Sequence, residues 1–322
     1  MSANIATPRP FISVDWGTSS LRAYRIDAAG EIADRRETGD GILSVGDGDF
    51  ASCLLRTIGN WLQPDSPLPV VMSGMIGSRQ GWREVPYVAC PASRDDLAAG
   101  LVHPEGLPDG AGISRLLLVP GLTVTSAVGV PDVIRGEECQ IFGALDDRGG
   151  GSSIGLARTF LLPGTHSKWA TADGRTITGF RTYMTGELFA AALSATILGK
   201  LAAEPGPFRS DDFARGVAAG ASPGGSGALL NRLFSGRTLA LFDKLEPAGV
   251  RDYLSGMLIG AEVADAAGAA HDDTALPITI IASDALAERY ERALTELGYS
   301  THQADPSGVV FAHAAILAHA AG

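Results

Sequence analysis

Residues 11–26 read FISVDWGTSSLRAYRI. Two apolar runs, Phe11–Val14 and Leu21–Ile26, flank the polar stretch Asp15-Trp16-Gly17-Thr18-Ser19-Ser20. This is the pattern of two strands joined by a glycine-containing turn. A carboxylate at a strand end can hold Mg²⁺ directly or through water. Gly17 lets the backbone come close to an anion, and the hydroxyls and N–H groups of Thr18 and Ser19 can donate to phosphate oxygens. The same residues also make an ordinary hairpin turn capped by Asp and Ser. The phosphate reading gains from a second copy about half the chain away. Phe160–Leu162 is followed by Pro163-Gly164-Thr165-His166-Ser167-Lys168 and then by Trp169-Ala170-Thr171. Here Gly164, the Thr165 and Ser167 hydroxyls and Lys168 suit anionic oxygens. His166 reads as a ligand, a base or a turn residue. The spacing is not that of a Walker A loop.

Working outward, each half opens with strand, turn, strand. Residues 1–150 and 151–322 are therefore expected to be two α/β domains, duplicates in architecture, with a cleft between them. The charged, glycine-rich break Asp146–Gly151 is the expected linker. Helical spacing of apolar residues covers Phe50–Leu62, and helices are also expected near Asp95–Leu101, Glu138–Leu145, Glu187–Leu198, Val250–Ala267, Asp284–Leu297 and Val309–Ala321. Pro69–Ser73, Ser114–Val119, Thr176–Tyr183 and Ile278–Ala282 read as strands.

Composition excludes several classes. Of 322 residues 45% are hydrophobic, which excludes wholesale disorder. No apolar run is long enough to span a membrane, and the N-terminus lacks the basic-then-apolar pattern of a signal peptide, so a cytoplasmic location is expected. The net charge is −11 and no Lys/Arg cluster occurs, which argues against a nucleic-acid partner. Cys53, Cys90 and Cys139 lack metal spacing and read as free thiols. Glycine is abundant at 41 residues, implying tight turns or close backbone approaches. No cluster of His, Cys and Asp suggests a structural metal.

Two further stretches carry chemistry. Arg135-Gly136-Glu137-Glu138-Cys139-Gln140 puts two carboxylates at a helix start. Acids are ordinarily found there, but either could be a general base, with Arg135 modulating its charge. Glu137 is expected to leave the helix start, whereas Glu138, roughly 100° further round, should face elsewhere. Met75-Ile76-Gly77-Ser78-Arg79-Gln80-Gly81-Trp82 is rich in donors. Arg79, Gln80 and Trp82 suit a hydroxylated acid, and Arg79 could grip a carboxylate bidentately. A plain surface loop fits as well.

Together these residues resemble a known family. The repeated strand–Gly-Thr–strand pattern resembles the actin-like ATPase superfamily of sugar kinases and 70-kDa heat-shock chaperones. More narrowly, VDWGTSSLRAY, SGMIGSRQGW, PYVACPA, VPGL, RGEECQIFGAL, LPGTHSKW and FRTYMTGELFA resemble the 2-dehydro-3-deoxygalactonokinase family of bacterial galactonate catabolism, from Ile12 to about Tyr299. The resemblance implies a two-lobed actin-like (ribonuclease H-like) ATPase fold with a central cleft between the domains. It also implies ATP with Mg²⁺, and phosphorylation of the terminal (6-)hydroxyl of a 2-keto-3-deoxy sugar acid.

Carried onto this chain, the resemblance makes Asp15 the metal's carboxylate. Asp15, Gly17, Thr18 and Ser19 become the first phosphate turn, and Gly164, Thr165, His166, Ser167 and Lys168 the second. Glu137 or Glu138 takes the place of the acid that activates the sugar hydroxyl, while Arg79, Gln80, Trp82 and Arg135 are expected, from their own chemistry, to contact the sugar acid. Ile280–Asp284 would lie near adenosine, without the superfamily's double glycine there. The N-terminal lobe would hold the acceptor and the C-terminal lobe the nucleotide, with the last helix packed on the N-terminal lobe. Expected partners are small molecules, not nucleic acid or membrane, with a homodimer left open. A kinase for another sugar, or an actin- or chaperone-like nucleotide switch, is the competing expectation.

Overall fold

The computed structural model describes residues 10–146, 157–224, 227–270, 276–282 and 284–320. The expected linker falls, from residue 147 on, outside the described residues. The chain divides into two compact units. One comprises residues 1–156, 172–179 and 305–322, and the other residues 157–171 and 180–304.

In the first unit β1 (Phe11–Trp16), β2 (Leu21–Ile26) and β3 (Ile32–Thr38) form consecutive hairpins. The helix α1 (Phe50–Ile58) follows, capped by Asp49, which accepts from the Ser52 N–H. It buries Phe50, Cys53, Leu54 and Ile58, and the apolar spacing picks out Phe50, Leu54 and Ile58 among them. Then come β4 (Leu68–Ser73), β5 (Val88–Ala89), α2 (Arg94–Ala99), β6 (Ile113–Leu118), β7 (Leu122–Thr125), β8 (Pro131–Ile134) and α3 (Glu137–Asp146). The main sheet has the order β3-β2-β1-β4-β6, with β4 parallel to β1 and β6 parallel to β4. A small sheet β5-β7-β8 lies outside the sequence expectations, because its strands are only two to four residues long.

The second unit holds β9 (Ala157–Leu162), β10 (Ser167–Asp173), β11 (Thr176–Tyr183), α4 (Thr185–Ala195), α5 (Ser210–Ala221), α6 (Ala228–Leu233), α7 (Ser235–Leu241), α8 (Val250–Ala270), β12 (Ile278–Ile281), α9 (Asp284–Glu296) and β13 (Thr301–Ala304). Its sheet order is β11-β10-β9-β12-β13, with β9, β12 and β13 parallel. The two sheets share one winding, so the duplication legible in the two turns extends to the topology. Part of the glycine excess is spent between α5 and α8. A β-carbon on Gly216 or Gly220 would sit 2.1 or 2.0 Å from a carbonyl oxygen of α8, and one on Gly256 would sit 2.1 Å from a carbonyl oxygen of α5.

The final helix, α10 (Val309–His319), belongs to the first unit. It packs on α3 so closely that a β-carbon at Gly143 would lie 2.0 Å from the Gly308 carbonyl oxygen. His313 Nδ1 and Ser13 Oγ on β1 are hydrogen-bonded at 2.8 Å, both fully buried. No helix among the described residues is long and apolar enough to cross a membrane.

Candidate active site

Strand register places the first candidate. Glu37 pairs with Arg22, Arg22 with Asp15, and Asp15 with Ser73, so four polar residues lie abreast across β3, β2, β1 and β4. Arg22 Nε donates to Glu37 Oε1 at 3.1 Å, and Arg22 Nη1 is 3.6 Å from Asp15 Oδ2. Burial raises the Asp15 pKa above the usual carboxylate value, while Arg22 and the Gln140 amide act against it. The turn that follows is braced from outside. Gly17 N–H donates to Ser20 O at 2.9 Å, and Ile42 N–H to Gly17 O at 3.0 Å. Thr18 and Ser19 stay exposed, with hydroxyls to offer an anion.

The start of α3 meets this row. Gly136, with φ of +110°, turns the chain beside Gly74, whose φ is +95°, and both lie next to Asp15. The two glutamates part as the helical step requires. Glu138 is fully buried, accepts from the Gly136 N–H at 2.7 Å and faces Cys139 Sγ at 3.6 Å. Burial, then repulsion from Glu137, push its pKa up to about 8. Glu137 is half-buried, accepts from the Arg135 N–H at 2.9 Å, and lies near enough to Asp15 to raise that residue's pKa. Gln140, one turn along the same face as Glu137, donates to Asp15 Oδ2 at 3.2 Å.

The donor-rich loop divides into outer and inner residues. Arg79 and Gln80 are exposed, Arg79 pairs with Glu84 at 3.4 Å, and Trp82 Nε1 donates to Glu105 O at 3.0 Å. Arg135 is 7% exposed. It gives Nη2–H to Val85 O at 2.7 Å and lies 4.2 Å over the Tyr87 ring. Among the described residues, its Nε and Nη1, and Ser78 Oγ, have no hydrogen-bond partner. A buried guanidinium with idle donors is costly unless something occupies them.

The second turn is built differently. Gly164 is half-buried, and Thr165 and His166 are exposed. Ser167 is buried and bonds to Tyr290 Oη at 2.7 Å; Tyr290 donates to Glu262, which also takes the Trp169 N–H. Lys168 is buried and donates to Thr182 Oγ1 at 3.2 Å. The first turn of α4 lies against the loop. A β-carbon at Gly186 would be 2.4 Å from Gly164 O, Glu187 N–H donates to Thr165 O at 2.9 Å, and the Glu187 carboxylate meets His166 Nε2.

A cavity of about 290 Å³ opens beside this turn. Its walls include Gly164, Gly186, Pro207, Arg251, Ser255 and Leu286. They are mostly apolar, as small-molecule sites are. Asp252 and Arg289, also in the wall, are paired with one another at 2.7 Å. Of the expected adenosine segment Ile280–Asp284, the described residues Ile280, Ile281 and Ala282 do not line this cavity, whereas Leu286 and Arg289 just beyond it do. Ser283 lies outside the described residues.

Sequence reasoning missed Gln140, the pairing of Arg22 with Glu37, Gly74, Gly186 and the cavity wall. Gly186 left a signal, since Thr-Gly-Glu directly after a strand marks a helix start pressed against a neighbour. The cavity left none, because its walls come from five separate segments of the chain.

The geometry can be set beside known proteins. The family model described as 2-keto-3-deoxy-galactonokinase matches residues 15–316. The chain is 31% identical over 289 residues to the Escherichia coli protein named 2-dehydro-3-deoxygalactonokinase, covering 89% of this chain and 90% of that one. It is 34% identical over 301 residues to a Rhizobium meliloti protein assigned the same activity, covering 93% and 94%. A Sinorhizobium meliloti crystal structure assigned that activity superposes with a TM-score of 0.83 at 30% identity, over 96% of this chain and 98% of the other. At 12% identity, component A of the Acidaminococcus fermentans (R)-2-hydroxyglutaryl-CoA dehydratase shares the fold alone, with a TM-score of 0.52 over 97% and 99% of the two chains. The architecture is the actin-like (ribonuclease H-like) ATPase fold.

Proposed function

The chain belongs to the 2-keto-3-deoxy-galactonokinase family, and we propose that it transfers the γ-phosphoryl group of ATP, with Mg²⁺, to the 6-hydroxyl of 2-dehydro-3-deoxy-D-galactonate. The observation that carries the reading is the Asp15–Gln140–Glu137 grouping, which lies inside the matched segment and joins a metal-type carboxylate to a second acid at a helix start. Phosphoryl transfer asks the protein mainly for positioning and charge neutralisation.

The donor set fits Mg²⁺. Among the described residues no group of three His, Cys, Asp or Glu side chains could hold a metal. A carboxylate flanked by glycine backbone suits a cation that takes its other ligands from water and phosphate. Bound there, Mg²⁺ would neutralise charge on the phosphates.

The residues divide the remaining work. Thr18 and Ser19 donate hydroxyl and N–H groups to phosphate oxygens. Gly164, Thr165 and His166 face the phosphates at the second turn, while Ser167 and Lys168 hold that turn from inside. The cavity beside Gly164 takes the nucleoside. Glu137 accepts the proton from the sugar 6-hydroxyl as its oxygen bonds to the γ-phosphorus and ADP departs. Glu138, buried and bonded to its own helix end, sets the shape of α3. Arg135 offers its idle Nε and Nη1 donors to the substrate carboxylate, a planar pairing that guanidinium makes well, and Arg79, Gln80 and Trp82 contact the hydroxylated chain.

The test is a coupled assay of ADP release over a panel of sugar acids and neutral sugars. The expected result is turnover with 2-dehydro-3-deoxy-D-galactonate and a KM for it at least about tenfold higher in Arg135→Met, one lost contact of roughly 1.4 kcal/mol. ATP hydrolysis that no acceptor stimulates, or equal rates with neutral hexoses, would overturn the reading.

A further inference from the structure

Asp15 has two carboxylate oxygens, and the protein treats them differently. Among the described residues, its hydrogen bond and its ion pair both fall on Oδ2, from Gln140 Nε2 at 3.2 Å and Arg22 Nη1 at 3.6 Å. Arg22 is steadied from its far side by Glu37. Oδ1 faces the other way, toward two glycines. A β-carbon at Gly74 would come within 3.3 Å of Oδ1, and one at Gly136 within 3.8 Å. Both glycines hold positive φ, where L side chains rarely sit. Glycine backbone thus packs close beside Oδ1, and among the described residues neither polar contact of Asp15 falls on that oxygen.

A carboxylate turns easily about its last torsion. Left unheld, Asp15 would exchange its two oxygens and lose its aim. Arg22 is 3.6 Å away and shared with Glu37, so it gives charge more than direction. Gln140 gives a neutral N–H at hydrogen-bond distance. It lies three residues after Glu137, so both side chains leave the same face of α3, while Glu138 leaves another. A cationic side chain at 140 would compete with a bound cation, whereas an amide does not.

We propose that Gln140 is a positioning residue, holding Asp15 Oδ2 so that Oδ1 is the oxygen presented to the divalent cation. This rests on the reading of Asp15 as the metal's carboxylate. Partners of ligating carboxylates act in this way, and losing one typically weakens metal affinity about 10–100-fold.

The experiment titrates Mn²⁺ alone into the intact protein and follows free Mn²⁺ by electron paramagnetic resonance, for wild type, Gln140→Met, Gln140→Asn and Asp15→Asn. The expected result is Mn²⁺ affinity at least about tenfold weaker in both Gln140 variants, with melting temperatures near wild type. In turnover, the Mg²⁺ concentration at half-maximal rate should rise while the KM for the sugar acid moves less than about twofold, a split that a merely structural role would not give. If Gln140→Met fails to fold, Gln140→Asn reads the same quantity, because its shorter amide cannot span the gap. Wild-type Mn²⁺ affinity in the folded Gln140 variants, with loss in Asp15→Asn, would overturn the role of Gln140 alone. Wild-type affinity in Asp15→Asn would overturn the metal reading itself, and this inference with it.

Discussion

Each unit buries an acid beneath its strand–turn–strand motif, and the two acids are used in opposite ways. Glu262, below the second turn, is hemmed in by donors: Trp169 Nε1 and Tyr290 Oη at 2.8 and 2.7 Å, with Ser167 and Thr185 also bonding to it. Its hydrogen-bonding capacity is spent inside the protein, so its effect is to lock Ser167 and Tyr290 in place. Asp15 accepts from one amide, faces one guanidinium at 3.6 Å, and has a side chain 13% exposed. A saturated acid is scaffold, and one with an oxygen to spare is available for chemistry. The turns differ in the same sense. The first carries its charge at the strand end. The second carries its one lysine inward, to Thr182, and leaves hydroxyl, imidazole and backbone groups outside.

The largest effect expected from this contrast is at Asp15. Asp15→Asn should remove turnover while nucleotide affinity stays within about tenfold, because only the metal link is cut. Retained turnover would make Asp15 as structural as Glu262. Next is the pair on α3. Glu137→Gln should lower kcat by at least about 10²-fold with little change in the KM for the sugar acid, and Glu138→Gln by less than about tenfold. Steady-state kinetics on both variants decides it, and the reverse ranking would move the base into the buried position.

The second turn should be sensitive to shape rather than charge. Gly186→Ala forces a methyl group against the Gly164 carbonyl. The KM for ATP should rise about tenfold, roughly 1.4 kcal/mol, whereas Lys168→Met should change it by less than about threefold, since that ammonium faces Thr182. A large Lys168 effect would give the two turns the same logic after all.

The smallest effects are on stability and its pH dependence. Glu138, with an ordinary value of 4.5, is pushed up to about 8 by burial, so the folded protein keeps a proton that the unfolded chain releases. Its contribution is therefore complete below about pH 4.5 and is lost as pH rises toward about 8. His313 has the opposite sign. Burial lowers it from 6.5 to about 3, so stability falls as pH drops through that window, where only the unfolded chain gains the proton. Melting curves from pH 4 to 8 should flatten on the alkaline side in Glu138→Gln and on the acid side in His313→Gln. Unchanged slopes would mean that neither group is held in the protonation state described.

Much of the fold was legible because it depends on local pattern. The strands on either side of Asp15 and of Gly164, the apolar spacing of α1 and the small-residue helix α8 follow from side-chain alternation and helical period, which a sequence carries in the open. The short strands β5, β7, β8 and β13 were not legible, because two to four residues cannot show a period and these lack the continuous apolar run that marks β12. The candidate site was legible at the level of residue type. Asp15, the two turns and the Glu137-Glu138 pair all stand in recognisable motifs.

What the sequence by itself determined was thus which residues have the chemistry: a carboxylate at a strand end, hydroxyls in glycine turns and acids at a helix start. Those are properties of neighbours in the chain. Only the tertiary structure decided which of them keep a free atom. It turned Lys168 and Ser167 inward, and brought Gln140 to Asp15 across 125 positions of sequence. It also set Arg22 between two acids by strand register, and left Arg135 buried with two donors that have no partner among the described residues. Whether a polar atom is spent or available depends on distance to its partners. That distance is fixed by packing between segments that the sequence keeps far apart.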